Sequence, residues 1–269
     1  MRTTLASIRP RLGDKEANLD QMGTVVREAA GDLVVFPEMA LTGYLVLDRV
    51  HRLAEGLDGP SVSRVKKWAE ETGKWVIFGM PRADATRPGL VYNSAVLVGA
   101  DESVQHYDKR QLSTFDPFLD GLFFTPGVRS GLMETPWGRL GVSICYDVFF
   151  PELHKALALK GADVLVNISA SPGTSRRFFE AVFAARAIEC TLPLVYANFG
   201  GTQESLVFWG GNQYWSPRGV LKERGVYDAP HVLEVVVDLE ETAAARPHRP
   251  VLRDTVRRSV QDLLDACER

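Results

Sequence analysis

The sequence has little cysteine, with Cys145, Cys190 and Cys267 as its only thiols in 269 residues. Their odd number and wide spacing do not form a disulfide framework and are typical of reduced thiols, so we expect a cytoplasmic protein. The sequence also lacks histidine, cysteine and carboxylate residues at metal-ligand spacing, and it lacks a phosphate-binding glycine motif. We therefore predict a protein that works without a metal ion or other cofactor.

Long hydrophobic runs and an excess of one charge are absent as well. The amino-terminal segment MRTTLASIRPRLGDKEANLD meets charged and turn residues before any long apolar stretch, so we expect neither a secretory signal nor a membrane span. The net charge is −3 and the isoelectric point is near 6.0. These values give no reason to expect nucleic acid or an anionic membrane surface as a partner.

The sequence shows no internal repeat, no low-complexity tract and no linker rich in proline or serine. Its apolar fraction of 45% and charged fraction of 24% are those of an ordinary soluble globular protein. We therefore expect residues 1–269 to form one domain.

Short β-branched runs alternate with amphipathic segments along the chain. Asp14 is a suitable cap for a helix over residues 14–30, and Gly73 is a suitable end for a helix over residues 61–73. A hairpin is predicted from residues 93–100 and 102–109, and a last helix over residues 251–269. The other predicted helices cover residues 151–161 and 175–190, and the other predicted strands cover residues 3–8, 32–36, 74–80, 138–145, 162–169, 192–199, 206–216 and 231–239.

Strands and helices in this order predict an α/β protein with sheets covered by helices. Periodicity does not say whether there is one sheet or two.

The stretch GVSICYDVFFPELHKAL, residues 141–157, places a cysteine at the end of an apolar strand. Cys145 could be a small hydrophobic residue that closes a core strand, since free cysteine is among the most buried residue types. It could also be a nucleophile, because open α/β sheets place their chemistry at the carboxyl ends of strands. The position alone leaves both interpretations open.

Two other ends of strands carry residues that could serve such a nucleophile. Glu38 follows a buried strand and Pro37, where partial desolvation would raise its pKa toward that of a useful base. Lys109 and Arg110 follow a half-buried strand and supply a cation. A solvated loop carboxylate and a surface cation are the alternatives, and the spacing does not choose between Lys109 and Arg110.

The segments FPEMALTGY, YDKRQL and GVSICYDVFFPE, in this order and at these separations, resemble the three signature segments of the nitrilase superfamily of carbon–nitrogen hydrolases. The segments FFTPG, RAIEC and GGNQYWSPRG agree with the same family, so the resemblance covers nearly the whole chain. It implies a four-layer α-β-β-α sandwich.

The resemblance also implies a catalytic triad. Its members here are Glu38 as the base, Lys109 as the stabiliser of the oxyanion and Cys145 as the nucleophile, so the resemblance selects Lys109 over Arg110. The backbone N–H of Tyr146 is the family's second oxyanion donor.

A second glutamate of the family falls on Asp120, whose side chain is one methylene shorter. Asp120 would orient Lys109 or the substrate, and the alternative is a turn residue beside Gly121. We also expect the charge of Lys109 to give Cys145 a low-pKa thiol.

The dipeptide Tyr146-Asp147 is typical of amidases in this family, whereas true nitrilases usually have Trp-Glu after the cysteine. We therefore expect hydrolysis of a small carboxamide to an acid and ammonia. An N-carbamoyl amine hydrolase is the alternative within the family, and a non-catalytic member that binds a partner is the alternative outside catalysis. The residues expected to form the substrate pocket are Tyr44, Phe115, Phe150, Ser169 and Ala170.

The predicted helix over residues 175–190 carries an apolar stripe of Phe178, Phe179, Val182 and Phe183 with few charges between them. Such a stripe is too much aromatic surface for a free face unless a sheet covers all of it. Members of the family pair through this region, so we predict at least a homodimer.

Overall fold

The computed structural model describes residues 1–267 of the chain. The strands are, in chain order, β1 (Arg2–Ser7), β2 (Leu33–Val35), β3 (Trp75–Ala83), β4 (Val91–Val98), β5 (Val104–Asp108), β6 (Leu132–Thr135), β7 (Gly138–Ile144), β8 (Val164–Ser169), β9 (Leu194–Asn198), β10 (Gly200–Gln203), β11 (Leu206–Trp209), β12 (Gln213–Trp215), β13 (Leu221–Arg224) and β14 (His231–Val236). The α-helices are α1 (Lys15–Glu28), α2 (Val50–Leu53), α3 (Pro60–Thr72), α4 (Asp120–Phe123), α5 (Pro151–Leu159), α6 (Arg176–Cys190), α7 (Glu240–Ala245) and α8 (Arg257–Cys267).

The two six-stranded sheets have the same arrangement of parallel and antiparallel strands. The first has the order β14-β1-β2-β3-β4-β5, and the second has the order β13-β12-β9-β8-β7-β6. Three neighbouring strands are parallel in each sheet, β1-β2-β3 in the first and β7-β8-β9 in the second, and the outer strands are antiparallel. Helices α1 and α3 connect the parallel strands of the first sheet, and α5 and α6 connect those of the second.

The alternation of side chains along each strand sets the layers. In the first sheet, Leu5 and Val35 face a core shared with the second sheet, while Ala6 and Val34 face a separate core beneath α1 and α3. Helices α5 and α6 cover the outer face of the second sheet, where Phe183 of α6 is fully buried. The order helix, sheet, sheet, helix confirms the predicted four-layer sandwich.

Most of the predicted elements are confirmed. The side chain of Asp14 accepts a hydrogen bond from the N–H of Ala17 (3.1 Å) at the start of α1. Gly73 ends α3 with a φ of 69°, in the left-handed region that favours glycine. The predicted hairpin is formed by β4 and β5, which pair antiparallel.

Two predicted elements differ from the structure. The strand predicted over residues 206–216 is divided because Gly210 and Gly211 have φ angles of 57° and 60°, so β11 and β12 belong to different sheets. The last helix begins at Arg257 rather than at residue 251, because the Thr255 hydroxyl bonds the carbonyl of Val251 and closes a separate turn. Residues 268 and 269 of that prediction lie outside the described residues. No helix in residues 1–267 is long and apolar enough to cross a membrane.

Candidate active site

Three side chains meet where strands of the two sheets end. Glu38 lies shortly after β2, Lys109 directly follows β5, and Cys145 directly follows β7. The first two belong to one sheet and the cysteine belongs to the other, so the packing of sheet on sheet brings them together. Glu38 is 0% exposed, Lys109 is 1% exposed and Cys145 is 4% exposed. The group is therefore almost completely removed from solvent.

Cys145 occupies a sharp bend between β7 and a short 3₁₀ helix, Cys145–Phe149. Its φ of 49° lies in the left-handed region, which costs a residue with a side chain roughly 1–3 kcal/mol. In other hydrolases a strained turn from strand to helix lifts the nucleophile out of the sheet. The bend here can present the thiol in the same way.

Asp147 holds this bend in place. Its carboxylate accepts hydrogen bonds from the backbone N–H of Ile144 (3.0 Å), from the backbone N–H of Gln111 (2.9 Å) and from the hydroxyl of Tyr107 (2.8 Å). Ile144 precedes the cysteine and Gln111 lies just after Lys109, so one carboxylate connects the two sides of the site. Burial raises the pKa of Asp147 to about 6, although its hydrogen bonds act in the opposite direction.

The Glu38 carboxylate receives donors on both of its oxygens. Oε1 accepts hydrogen bonds from Nδ2 of Asn93 (2.7 Å) and Nζ of Lys109 (2.8 Å), and Oε2 accepts one from the backbone N–H of Ala170 (2.7 Å). The backbone of Glu38 lies so close to Gly79 that a Cβ there would come within 2.6 Å of the Glu38 Cα. The position of the carboxylate is thus fixed by both sheets.

Lys109 lies between two carboxylates. Its Nζ donates to Oε1 of Glu38 (2.8 Å) and to Oδ2 of Asp120 (2.7 Å), and its side chain is 0% exposed. Burial alone would lower the pKa of Lys109, but the charges of Asp120 and Glu38 outweigh burial and raise that pKa well above its ordinary value. The side chain is therefore a permanent cation.

Asp120 lies at the start of α4 and is 3% exposed. Besides Lys109, its carboxylate contacts the hydroxyl of Tyr44 (2.6 Å) and the backbone N–H of Ser113 (3.2 Å), both of which donate to it. The structure shows both features drawn from the sequence, because Asp120 contacts Lys109 and also begins a one-turn helix with Gly121. A catalytic role for Asp120 stays a prediction.

The thiol of Cys145 does not have the low pKa that we expected from Lys109. Burial raises the pKa of Cys145 well above its ordinary value, and the charge of Glu38 raises it further. The charge of Lys109 lowers that pKa, but by less than burial and Glu38 raise it. The expectation of a low-pKa thiol is wrong for the resting protein, in which the thiol is protonated and needs a base to react.

A cavity of about 340 Å³ opens above Cys145. Its wall is largely aromatic, and four serine and threonine side chains interrupt that wall. The aromatic lining residues are Phe115, Phe118, Tyr146, Phe149, Phe178 and Phe179, and the serine and threonine residues are Ser113, Ser171, Thr174 and Ser175.

The residues predicted for substrate binding fall into two groups. Phe115 lines the cavity, and the other four lie behind the lining. Tyr44 bonds Asp120, and Phe150 packs edge-on against the ring of Tyr146 with the ring centroids 5.1 Å apart. The hydroxyl of Ser169 donates to Asn167 (2.8 Å), and the N–H of Ala170 donates to Glu38. These four residues therefore contact residues of the site, three through side chains and Ala170 through its N–H, and they do not line the cavity.

The sequence did not reveal several residues of the site. Asn93 is a polar residue inside an apolar strand. This position is the one feature of the sequence that could have indicated a residue of the site. The sequence places Phe178 and Phe179 on the apolar stripe of a predicted dimer interface, and in the structure both line the cavity. In the sequence Asp147 indicates only an amidase, and no local pattern predicts its three hydrogen bonds, one to the bend and two to the segment that carries Lys109. No group of three metal-ligating side chains occurs within residues 1–267.

Known proteins resemble this chain over most of its length. A family model described as carbon-nitrogen hydrolase matches residues 2–247. A probable nitrilase of Schizosaccharomyces pombe is 29% identical over 254 residues, which are 91% of this chain and 92% of that protein. An (R)-stereoselective amidase of a Pseudomonas species is 32% identical over 260 residues, which are 94% of this chain and 91% of that protein.

Solved structures show the same fold. A carbon-nitrogen hydrolase of Helicobacter pylori G27 superposes with a TM-score of 0.89 at 23% identity, with 98% of each chain covered. An amidase of Nesterenkonia sp. AN1 superposes with a TM-score of 0.83 at 25% identity, with 98% of this chain and 99% of that chain covered.

Proposed function

The chain belongs to the carbon–nitrogen hydrolase family of the nitrilase superfamily, and on this basis we propose that it hydrolyses a small carboxamide to a carboxylic acid and ammonia. The observation that carries the proposal is the thiol of Cys145, which lies beneath a cavity and beside a fixed carboxylate and a fixed cation. Hydrolysis of an amide through a cysteine needs these three groups: a nucleophile, an acceptor for its proton and a positive charge for the oxyanion.

In the first step Glu38 is the base. It accepts the thiol proton while Sγ of Cys145 forms a bond to the carbonyl carbon and the C=O electron pair moves onto oxygen. The tetrahedral intermediate then re-forms the C=O bond, the C–N bond breaks, and the proton held by Glu38 passes to the leaving nitrogen. The products of this step are ammonia and a thioester.

Lys109 and the backbone of the bend stabilise the oxyanion. Two of the three N–H donors of Lys109 are used by Glu38 and Asp120 in the described part of the chain, so the third can point at the oxyanion. The N–H of Tyr146 lies in the first turn of a 3₁₀ helix, where an N–H has no partner within the helix. Asp120 acts through Lys109 and is therefore a positioning residue.

In the second step water hydrolyses the thioester. Glu38 accepts a proton from water as its oxygen attacks the thioester carbon, and the C–S bond breaks when the second tetrahedral intermediate collapses. The proton returns from Glu38 to the sulfur, which restores the thiol.

The relatives support a cysteine nucleophile. One structure of the Nesterenkonia amidase, a variant 25% identical to this chain, carries the acetamide moiety of fluoroacetamide on its active-site cysteine. By similarity, we assign the same role to Cys145.

Release of ammonia from a panel of amides tests the proposal, with Cys145→Ala as the control. The panel contains aliphatic, aromatic, ω-amide and N-carbamoyl compounds, so it also separates a carboxamide hydrolase from an N-carbamoyl amine hydrolase. We expect turnover of carboxamides by the parent and none by the variant. No turnover of any compound would instead favour a protein that binds a ligand without catalysis.

A homodimer and a cytoplasmic location are further proposals. On α6, Phe179 and Phe183 are buried in the core and Val182 is half-buried, so of the predicted stripe only Phe178 is exposed. The stripe thus offers a partner less surface than the sequence indicated, and the family resemblance supports the dimer. Light scattering that gives a mass near 29.8 kDa at micromolar concentration would contradict it. The free thiols of Cys145, Cys190 and Cys267 suit a reducing compartment.

A further inference from the structure

We propose that the substrates are neutral carboxamides with an aromatic ring or a branched apolar group, and that amides whose side group carries a carboxylate into the cavity are rejected. This inference rests on the proposed function, because it names the substrate class of the same site. It depends on three properties of the cavity, namely its size, its aromatic wall and the signs of the charges around it.

The size of the cavity favours a ring over a short chain. An apolar cavity of about 150 Å³ is sufficient to bind benzene. The cavity above Cys145 measures about 340 Å³, which leaves room for a ring, a short linker and the carboxamide. Acetamide would leave most of this volume to water and would gain little from the wall.

The aromatic wall continues to the mouth of the cavity. Phe115, on the loop after β5, is 48% exposed, and Phe178, on α6, is 49% exposed. Both line the cavity, and Phe115 packs edge-on against Tyr146 and Phe118, with ring centroids 5.0 Å and 5.4 Å apart. Two half-exposed phenylalanines that flank one opening are typical of a binding surface. An apolar substituent of the substrate would cover them.

The charges around the cavity disfavour an anion. No lysine or arginine of residues 1–267 lines the cavity, and the lining includes one acidic residue, Asp116. Beneath the thiol, two carboxylates surround the single cation Lys109, which leaves one net negative charge. Arg177 lies outside the lining, with its guanidinium 4.6 Å from the ring centroid of Phe178. A carboxylate inside the cavity would therefore lose its hydration without gaining a counter-ion.

Four substrates in two matched pairs test the inference. Phenylacetamide and acetamide differ by the ring, while 5-methylhexanamide and glutaramate have the same shape but differ by the charge of the terminal group. We expect kcat/KM to be about 100-fold or more higher for the first member of each pair, since one methylene alone in an apolar pocket is worth about 10–200-fold. If the two kcat/KM values of either pair lie within about threefold of each other, the inference is wrong, while the proposed function still holds.

If the parent hydrolyses none of the four compounds and is indistinguishable from Cys145→Ala, the proposed function is refuted and the inference is refuted with it. The two failures are therefore distinguishable in one experiment.

A single substitution should weaken the preference for a neutral substrate over a charged one. Thr174 is exposed, lines the cavity and has no hydrogen bond from its side chain among the described residues, so it can be replaced without loss of a contact. Thr174→Arg should raise kcat/KM for glutaramate about tenfold or more, because it supplies the missing counter-ion. Thr174→Gln, which is long and neutral, should not. Equal effects of the two variants would contradict the role given to charge.

A second substitution tests the aromatic mouth. Phe115→Ala should raise KM for phenylacetamide about tenfold and should affect KM for acetamide much less, because acetamide does not reach the mouth. Leu159→Ala removes a comparably exposed apolar side chain at the end of α5 and serves as the control. If Phe115→Ala affects both substrates equally, or neither, the ring does not bind at the mouth and the inference is wrong.

Discussion

The chain buries two thiols in different surroundings. Cys145 follows β7 and is 4% exposed, and Cys190 ends α6 and is 0% exposed. Burial raises the pKa of both thiols, that of Cys190 to about 12 and that of Cys145 well above its ordinary value. Neither burial nor a perturbed pKa therefore separates a nucleophile from a core residue in this protein.

The neighbours of the two thiols do separate them. Cys145 faces a cavity and lies beside Glu38 and Lys109, which are fixed by other contacts. The charged groups near Cys190 have other partners. Arg186 forms an ion pair with Glu189 (2.6 Å), and Lys155 donates a hydrogen bond to the backbone carbonyl of Glu189. A thiol with a raised pKa can react only where a base and a space for the substrate are present, and only Cys145 has both among the described residues.

Replacement of each thiol should give the largest contrast. Cys145→Ala should reduce turnover by about 10⁴-fold or more, because the covalent route is lost. Cys190→Ala should leave turnover within about twofold and lower the free energy of unfolding by about 1 kcal/mol, because it removes a buried sulfur. Amide hydrolysis and urea unfolding of both variants measure these effects. A large loss of activity in Cys190→Ala at normal stability would break the comparison.

Asp120 should have the next largest effect. Asp120→Asn keeps the size of the side chain but removes the charge that holds Lys109, so turnover should fall by about 100-fold. Asp120→Glu keeps the charge and should be tolerated, with a shift toward smaller amides measured as a ratio of kcat/KM values. Turnover of Asp120→Asn within about twofold of the parent would show that Asp120 only shapes the turn.

Asp147 should make the free energy of unfolding of the protein depend on pH. Its native pKa of about 6 lies above the value of an unfolded aspartate, so the native state binds a proton between about pH 4 and pH 6 that the unfolded state does not. Through this group the parent gains stability as the pH falls, by on the order of 2 kcal/mol, and Asp147→Asn lacks the gain. Urea unfolding measures the free energy of unfolding of the parent and of the variant at pH 4.5 and at pH 7. The value for the parent minus the value for the variant should be about 2 kcal/mol larger at pH 4.5 than at pH 7. The same difference at both values would contradict the assignment.

Alkylation should show the smallest effect and the most direct contrast between the thiols. Cys267 is exposed and should react with iodoacetamide first, Cys145 should react slowly through its cavity, and Cys190 should react only on unfolding. Because the charge of Glu38 raises the pKa of Cys145, Glu38→Gln should speed alkylation of Cys145 by about tenfold while it abolishes turnover. Peptide mass spectrometry measures each rate. Slower alkylation in Glu38→Gln would mean that Glu38 activates the resting thiol.

The sequence was informative where a local rule applied. The caps at Asp14 and Gly73, the hairpin of β4 and β5 and the polar residues at the ends of strands depend on neighbours in the chain, and they could be read from it. The four-layer order needed the family resemblance, because the alternation in β1 shows two buried faces but not what covers each of them.

The rest of the site depends on contacts between distant segments. Asn93 reaches Glu38 across 55 positions of sequence, and Asp147 reaches Tyr107 across 40. The high pKa of the thiol was missed because it reflects burial between two sheets, which no local pattern reports. Phe179 contributes both to the core of the second sheet and to the cavity wall. The spacing of apolar residues along α6 could show only that one side of Phe179 is buried.

Detection of an acyl group on Cys145 tests the central claim most directly. The substrate is 4-nitrophenyl phenylacetate, whose good leaving group should make acylation faster than hydrolysis of the thioester. Acid quench at short times followed by peptide mass spectrometry should find a phenylacetyl group on the peptide that contains Cys145, and none on the peptides of Cys190 and Cys267. Release of 4-nitrophenol with no acyl group on Cys145 at any quench time, or with the group on another residue, would contradict the account.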